Sequence, residues 1–284
     1  MIKPPPNRAC VIGWPIEHSR SPLIHNYWLR TLGIAGHYDR QAIRAPELPA
    51  FFAQIGSDGL AGANVTAPHK EAAFAACDWL GRNARATGAV NTLWREGGRL
   101  CGDNSDVSGF AENLDELALG WARPGASAMV LGAGGAARAI VYALRQRGFG
   151  AIHIVNRSAE RAQALAAHFG AGATARGWNE MARFMGDVDL LVNTTQLGMA
   201  GQPALDFDVA KLRASAVVAD IIYAPLRTPL VKGAEARGLR AVGGLGMLLH
   251  QAKPGFERWF GQLPAVTQEL RALLEADIQA KAAP

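Results

Sequence analysis

The chain has no C-x-x-C pair and no even set of cysteines, since Cys10, Cys77 and Cys101 are the only three. That argues against a disulfide framework or a structural zinc site, so we expect no metal and a reducing, cytoplasmic compartment. No stretch approaches the roughly 18 consecutive apolar residues that would suggest a membrane span. The opening MIKPPPNRAC also lacks the apolar core of a secretory leader. No membrane partner is therefore expected. Fixed-period repeats and low-complexity tracts are absent too, which excludes solenoid architectures. Lys and Arg number 29 against 24 Asp and Glu, yet they never form a basic run. Such scattered charge does not point to nucleic acid, and a net +5 suits a small anionic ligand better.

What is present fits a soluble globular protein: 49% hydrophobic and 19% charged residues. The 284 residues suffice for two domains at about 150 residues each. Glycine, at 32 residues, exceeds the usual share of about 7%, which implies tight turns or close backbone approaches.

The first hundred residues alternate between strand and helix signals. ACVIGWP is a short apolar run, and SPLIHNYWLRTLG reads as a helix with Ser21 as a candidate N-cap, Pro22 at the first helical position and Gly33 at its stop. APELPAFFAQIG, GLAGANVTA and HKEAAFAACDWL read as helix, strand and helix, and AVNTLWREGGRLCGDN as a hairpin turning at Gly97 and Gly98. This is an α/β pattern with a mainly parallel sheet. A second alternation follows from about residue 109. ASAMVLGAGGAARAIVYALRQRG and AIHIVNRSAERAQALAAHFG are each strand then helix, and VDLLVNTT and AVVADIIY are further buried strands. That rhythm belongs to a doubly wound, Rossmann-like sheet.

LGAGGAAR places Gly132, Gly134 and Ala137 in the G-x-G-x-x-A spacing, directly after a predicted strand and opening a predicted helix. The candidate dinucleotide cradle is Gly132, Ala133, Gly134, Gly135 and Ala136: glycine permits the turn and close phosphate approach, and the helix N-terminus receives the charge. An NAD site normally carries an acid about 20 residues on. Here the next strand ends in Asn156, Arg157 and Ser158, with Arg161 following. Two guanidiniums at that point favour a 2′-phosphate, so the expected cofactor is NADP.

GWPIEHSRSPLIHN, NVTAPHKE, GAVNT, GDNSDVSGF, GAGGAARA, NRSAERA, DIIYAPLRTPL and GLGMLLHQA, in this order, resemble the shikimate dehydrogenase family over residues 10–261. The resemblance implies NADPH-dependent reduction of 3-dehydroshikimate to shikimate, a step towards chorismate and the aromatic amino acids. It also implies an α/β substrate domain (1–108), a Rossmann-like NADP domain (109–246), and C-terminal helices (247–284) that complete the first.

Lys70 and Asp106 match the family's catalytic pair, the lysine acting as proton donor and electrostatic stabiliser. Ser19, Ser21 and Tyr223 resemble the carboxylate ligands; Thr66, Asn91, Asp106 and Gln251 resemble the residues that bind ring hydroxyls, with Asn64 close by. Thr194, Gly244 and Met247 resemble residues beside the nicotinamide. Four positions depart from the family pattern: Ser105 for threonine, Gln196 for serine, Gly243 for aspartate and Ser158 for threonine. A quinate/shikimate paralogue is the first alternative and a catalytically silent NADP sensor the second; a sensor would need neither Lys70 nor Asp106. The oligomeric state stays open between monomer and homodimer.

Overall fold

The computed structural model describes residues 7–282, so the first six residues of the opening segment read for a leader lie outside the described residues. The chain divides into two compact units, with cuts after Asp106, Leu248 and Leu274.

The first unit is built on six strands: β1 (Arg8–Gly13), β2 (His37–Ala42), β3 (Leu60–Val65), β4 (Trp79–Leu80), β5 (Thr92–Glu96) and β6 (Arg99–Asp103). Their spatial order is β2-β1-β3-β5-β6-β4. The pairs β1–β2, β1–β3 and β4–β6 are parallel, while β3–β5 and β5–β6 are antiparallel. Three of its five pairings are thus parallel, and the two antiparallel ones arise because the Gly97–Gly98 hairpin inserts β5 against β3. Central β1 is buried from Ala9 onward, as a strand covered on both faces should be. Helix α1 (Ser21–Thr31) starts one residue earlier than its capping signal suggests. Ser21 is its first helical residue, Arg20 stands at the cap, and the Ser19 hydroxyl accepts from the Ser21 amide at 3.3 Å. The other helices are α2 (Leu48–Gln54), preceded by a 3₁₀ turn at Ala45–Glu47, then α3 (Lys70–Ala76) and α4 (Arg82–Thr87).

The second unit holds α5 (Asp106–Leu117) from Val107 onward, α6 (Gly135–Gln146), α7 (Ala159–Phe169) and α8 (Pro229–Ala236). Its six strands are β7 (Ser127–Leu131), β8 (Ala151–Asn156), β9 (Ala173–Gly177), β10 (Leu190–Asn193), β11 (Val217–Asp220) and β12 (Arg240–Val242). All pair in parallel, in the order β12-β11-β10-β7-β8-β9. Strand order reverses beside β7, which makes the carboxyl ends of β7 and β10 the crevice where a doubly wound sheet takes its ligand. Alternation along β7 feeds two cores: Ala128 and Val130 join one apolar cluster with Ile140 and Leu144, and Met129 and Leu131 join another with Leu191 and Val218.

Helices α9 (Leu245–Phe260) and α10 (Gln268–Ala282) close the chain and cross the cuts at Leu248 and Leu274. In the first unit Trp259 of α9 packs where Gly62 leaves room, and its indole donates to the Leu93 carbonyl at 3.0 Å. Cys10 and Cys101 are buried and Cys77 half-buried, all as free thiols. Among the described residues no helix is long and apolar enough to cross a membrane, and no cluster of three His, Cys, Asp or Glu is arranged to hold a metal.

Candidate active site

In the first unit, strand register assembles the polar centre. Asn64 at the end of β3 lies opposite Thr92, and Thr92 lies opposite Asp103 at the end of β6. Asn91, one residue before β5, and Asn104 to Asp106, just after β6, therefore come to one end of the sheet. The turn after β3 runs from Thr66 to His69, whose amide donates to the Thr66 carbonyl at 3.0 Å and whose buried ring nitrogen meets the Ile43 carbonyl at 2.7 Å. That turn launches α3 with Lys70 as its first residue.

The Lys70 ammonium donates to Asp106 Oδ2, and the two side chains are only 15% and 8% exposed. Asp106 Oδ1 accepts from Asn91 Nδ2 at 2.8 Å, so both carboxylate oxygens are fixed. Asn91 also reaches Ser105 Oγ at 3.0 Å and Gln251 Oε1 at 3.5 Å. The Ser105 hydroxyl donates to the main-chain carbonyl of Gln251 at 2.7 Å, holding α9 to the start of α5. Replacing the family's threonine by serine thus keeps a hydroxyl that is in use. Asn64 donates to the Asn91 carbonyl at 3.1 Å and accepts from the Tyr38 hydroxyl at 2.7 Å. Burial raises the Tyr38 pKa well above its ordinary value, with the nearby Ser21 hydroxyl opposing the rise.

Lys70, Asp106, Asn91, Asn64 and Gln251 form one hydrogen-bonded cluster. Ser19 and Ser21 pair with each other at 3.3 Å, and Thr66 is held through its backbone, its amide donating to the Ile12 carbonyl at 2.9 Å. Tyr38 and Thr92 belong to the same network and went unread in the sequence. Thr92 was legible in principle, as the last residue of GAVNT. Tyr38 sits on a strand, HYDRQA, with only one buried side chain and no apolar periodicity to announce it.

In the second unit, β7 ends at Leu131 and the chain turns through Gly132, which has φ +110°. A Cβ there would lie 2.4 Å from Thr194 Oγ1, so only glycine fits. Thr194 uses its hydroxyl to donate to the Leu131 carbonyl at 2.6 Å, fastening β10 to this turn. Gly134 caps α6 with no side-chain hydrogen bond, and no atom lies within 4 Å of where its Cβ would be. The first amides of this 12-residue helix therefore have no side-chain cap, which leaves them for an anion. Ala137 is fully buried beneath the helix.

At the end of β8, Asn156 donates to the Ser158 carbonyl at 3.0 Å, and the Ser158 hydroxyl accepts from the Arg161 amide as the cap of α7. Arg157 and Arg161 are exposed, and neither guanidinium makes an ion pair among the described residues. This donor set fits NADP. Tyr223 follows β11 in this second unit and is half-buried. The Gly244 amide donates to the Ile222 carbonyl at 3.0 Å. Met247 is 7% exposed and packs in the apolar cluster around Ile140.

Comparison with known proteins agrees with this geometry. Residues 11–93 match the model of the shikimate dehydrogenase substrate binding domain, and residues 119–200 match that of shikimate / quinate 5-dehydrogenase. A shikimate dehydrogenase (NADP(+)) of Nitrobacter winogradskyi is 56% identical over 270 residues, spanning 95% of this chain and 96% of its own length. The crystal structure of shikimate 5-dehydrogenase from Thermus thermophilus in complex with NADP(H) and shikimate superposes with a TM-score of 0.83 at 35% identity, covering 96% of this chain and 99% of that one. Quinate dehydrogenase from Corynebacterium glutamicum in complex with NAD gives 0.86 at 31% identity, covering 94% and 98%. Sequence motifs, both family models and the whole-length relative converge, and the chain belongs to the shikimate dehydrogenase family.

Proposed function

We infer that this chain is an NADP-dependent oxidoreductase that reduces the ketone of 3-dehydroshikimate to the alcohol of shikimate. The observation that carries the reading is the Lys70–Asp106 pair, nearly buried and wired to Asn91. NADPH, when bound, supplies a hydride to the carbonyl carbon. Charge then develops on the carbonyl oxygen, and an ammonium within hydrogen-bond reach both stabilises it and delivers the proton. Lys70 fills that role and regains its proton from solvent. Asp106, held by Asn91, aims the ammonium and accepts from a ring hydroxyl. Asn64, Thr66, Asn91 and Gln251 offer the short polar groups that a polyhydroxylated ring needs. Ser19 and Ser21, together with Tyr223, are assigned to the substrate carboxylate.

In the second unit, Gly132 to Ala136 receive the diphosphate at the uncapped start of α6. Arg157 and Arg161 receive the 2′-phosphate. Asn156 and Ser158 shape that turn, and Thr194, Gly244 and Met247 lie on the nicotinamide side. The reading includes a substrate domain of residues 1–108 completed by 247–284 and an NADP domain of 109–246. It also includes cytoplasmic action as a monomer or homodimer, with no nucleic-acid or membrane partner.

The test is the set of initial rates for shikimate and quinate oxidation with NADP and with NAD. Shikimate with NADP should be fastest. Ser19 and Ser21 stand close together with no amide or acid in HSRSP to receive quinate's additional hydroxyl, so kcat/KM should favour shikimate by about 10²-fold. A ratio near one, or one favouring quinate, replaces this reading with a quinate/shikimate paralogue. No turnover with any pair would leave the NADP-sensor reading.

A further inference from the structure

One buried carboxylate has no part in the chemistry above. Asp220, the last residue of β11, is 2% exposed. Its Oδ1 accepts from the Ile222 amide and from Asn193 Nδ2, both at 3.1 Å, and its Oδ2 accepts from the Thr228 hydroxyl at 2.7 Å. None of these partners carries a charge, and burial pushes the Asp220 carboxyl up to about 6, the three hydrogen bonds opposing that rise. A carboxylate without a cation is an expensive way to satisfy three donors in a core.

Each partner leads to a turn at the carboxyl edge of the second sheet. Asn193 ends β10, and its Oδ1 accepts from the Thr195 amide at 3.0 Å and hydroxyl at 2.7 Å, while Nδ2 also reaches the Leu197 carbonyl at 3.2 Å. This fixes the turn that begins at Thr194. Ile222 has its amide on the carboxylate and its carbonyl on the Gly244 amide at 3.0 Å, so it holds the Gly244 turn and leads directly into Tyr223. Thr228 ends the same loop and caps α8, its hydroxyl accepting from the Val231 amide at 3.3 Å. The loops after β10 and β11 share this anchor directly, and the turn after β12 joins it through Ile222.

We propose that Asp220 is a positioning residue for the cofactor side of the active site, its buried carboxylate holding in one arrangement the turns that carry Thr194, Tyr223 and Gly244. What those turns hold rests on the function proposed above. An acceptor-only group is required because all three neighbours present donors. An amide at this position would aim its own N–H groups at one of them.

The test uses the full chain and compares Asp220→Asn and Asp220→Ala with the parent at pH 8. NADPH affinity is read by fluorescence titration without substrate, shikimate oxidation by kcat and KM, and folding by thermal unfolding without ligand. Asp220→Asn should unfold at the same temperature as the parent or higher. Its NADPH Kd should nonetheless rise about tenfold, the equivalent of one misplaced hydrogen bond to a charged group, with a further fall in kcat. Asp220→Ala should lose more of both. Losses that follow thermal stability down together, or unchanged Kd and kcat in a folded Asp220→Asn, would overturn the proposal. A parent that binds NADPH but oxidises neither shikimate nor quinate would instead overturn the proposed function, since the titration reads Asp220 by itself.

Discussion

At the scale of single residues, the ion pair between Lys70 and Asp106 has a directional consequence. The ammonium is aimed by a carboxylate that Asn91 holds from the other side, so the two groups act as a unit. Lys70→Ala and Asp106→Ala should each lower kcat by about 10²- to 10⁴-fold. The double variant should be little worse than the poorer single one. NADPH affinity measured by fluorescence should stay within twofold or so, because neither group lies in the second unit, to which we assign the nucleotide. Cofactor choice belongs to another pair. Arg157 and Arg161 stand exposed with no acidic partner among the described residues, which leaves their charge for a phosphate. Replacing both with Ala should weaken NADP binding about tenfold or more while leaving NAD binding nearly unchanged, since only NADP carries the 2′-phosphate. Equal losses for the two cofactors in calorimetric titrations would remove the arginines from that role.

At the scale of elements, two buried titratable groups give the units opposite responses to pH. His25 of α1 is fully buried, stacked on Tyr38 at 4.0 Å and edge-on to Trp28 at 5.6 Å. Its ring nitrogens have no hydrogen-bond partner among the described residues, and burial pushes its pKa down to about 3, with the nearby Asn64 amide opposing. A histidine depressed in the fold favours the neutral form, so its contribution is whole above the free value of about 6.5 and is lost as pH falls below it. From pH 7 to pH 5 the parent should lose about 2 kcal/mol through this group. His25→Phe, which keeps the stacking, should flatten that slope in urea unfolding.

Asp220, in the other unit, has the reverse sign. A carboxyl raised in the fold favours its protonated form, so its contribution is whole below about 4 and is lost as pH rises through about 6. Asp220→Asn should therefore gain on the parent between pH 5 and pH 8, by about 1.4 kcal/mol. A gap that stays constant across that range would show that the carboxyl does not titrate there.

At the scale of the whole molecule, what could be read from the sequence follows position in the sheets. The interior strands β1, β3, β7, β8, β10 and β11, and the hairpin of β5 and β6, stand out as apolar runs or by their glycine turn, because covered strands must be apolar. The four strands that escaped, β2, β4, β9 and β12, are the four sheet edges. An edge strand is short or half-exposed and needs no apolar signature: HYDRQA and ATARG carry none, and WL and RAV are too short to show one. The site divides similarly. Glycines and charges bound to chemistry declare themselves through motif spacing, whereas Tyr38, Thr92 and Asp220 act through other side chains, and only tertiary register brings them to their partners.

The three free thiols give this molecule a built-in reporter. Burial pushes Cys77 up to about 12 and holds Cys10 and Cys101 above the ordinary thiol range, so almost no thiolate exists at pH 8 in the folded chain. Native protein should react with a chromogenic disulfide reagent far more slowly than protein in urea, where all three thiols should titrate. Rapid labelling of the native chain would contradict that protection. Cysteine labelling then becomes a clock for opening: each modified sulfur records an excursion of its surroundings to solvent, and because all three sit in the first unit, the record is of that unit alone.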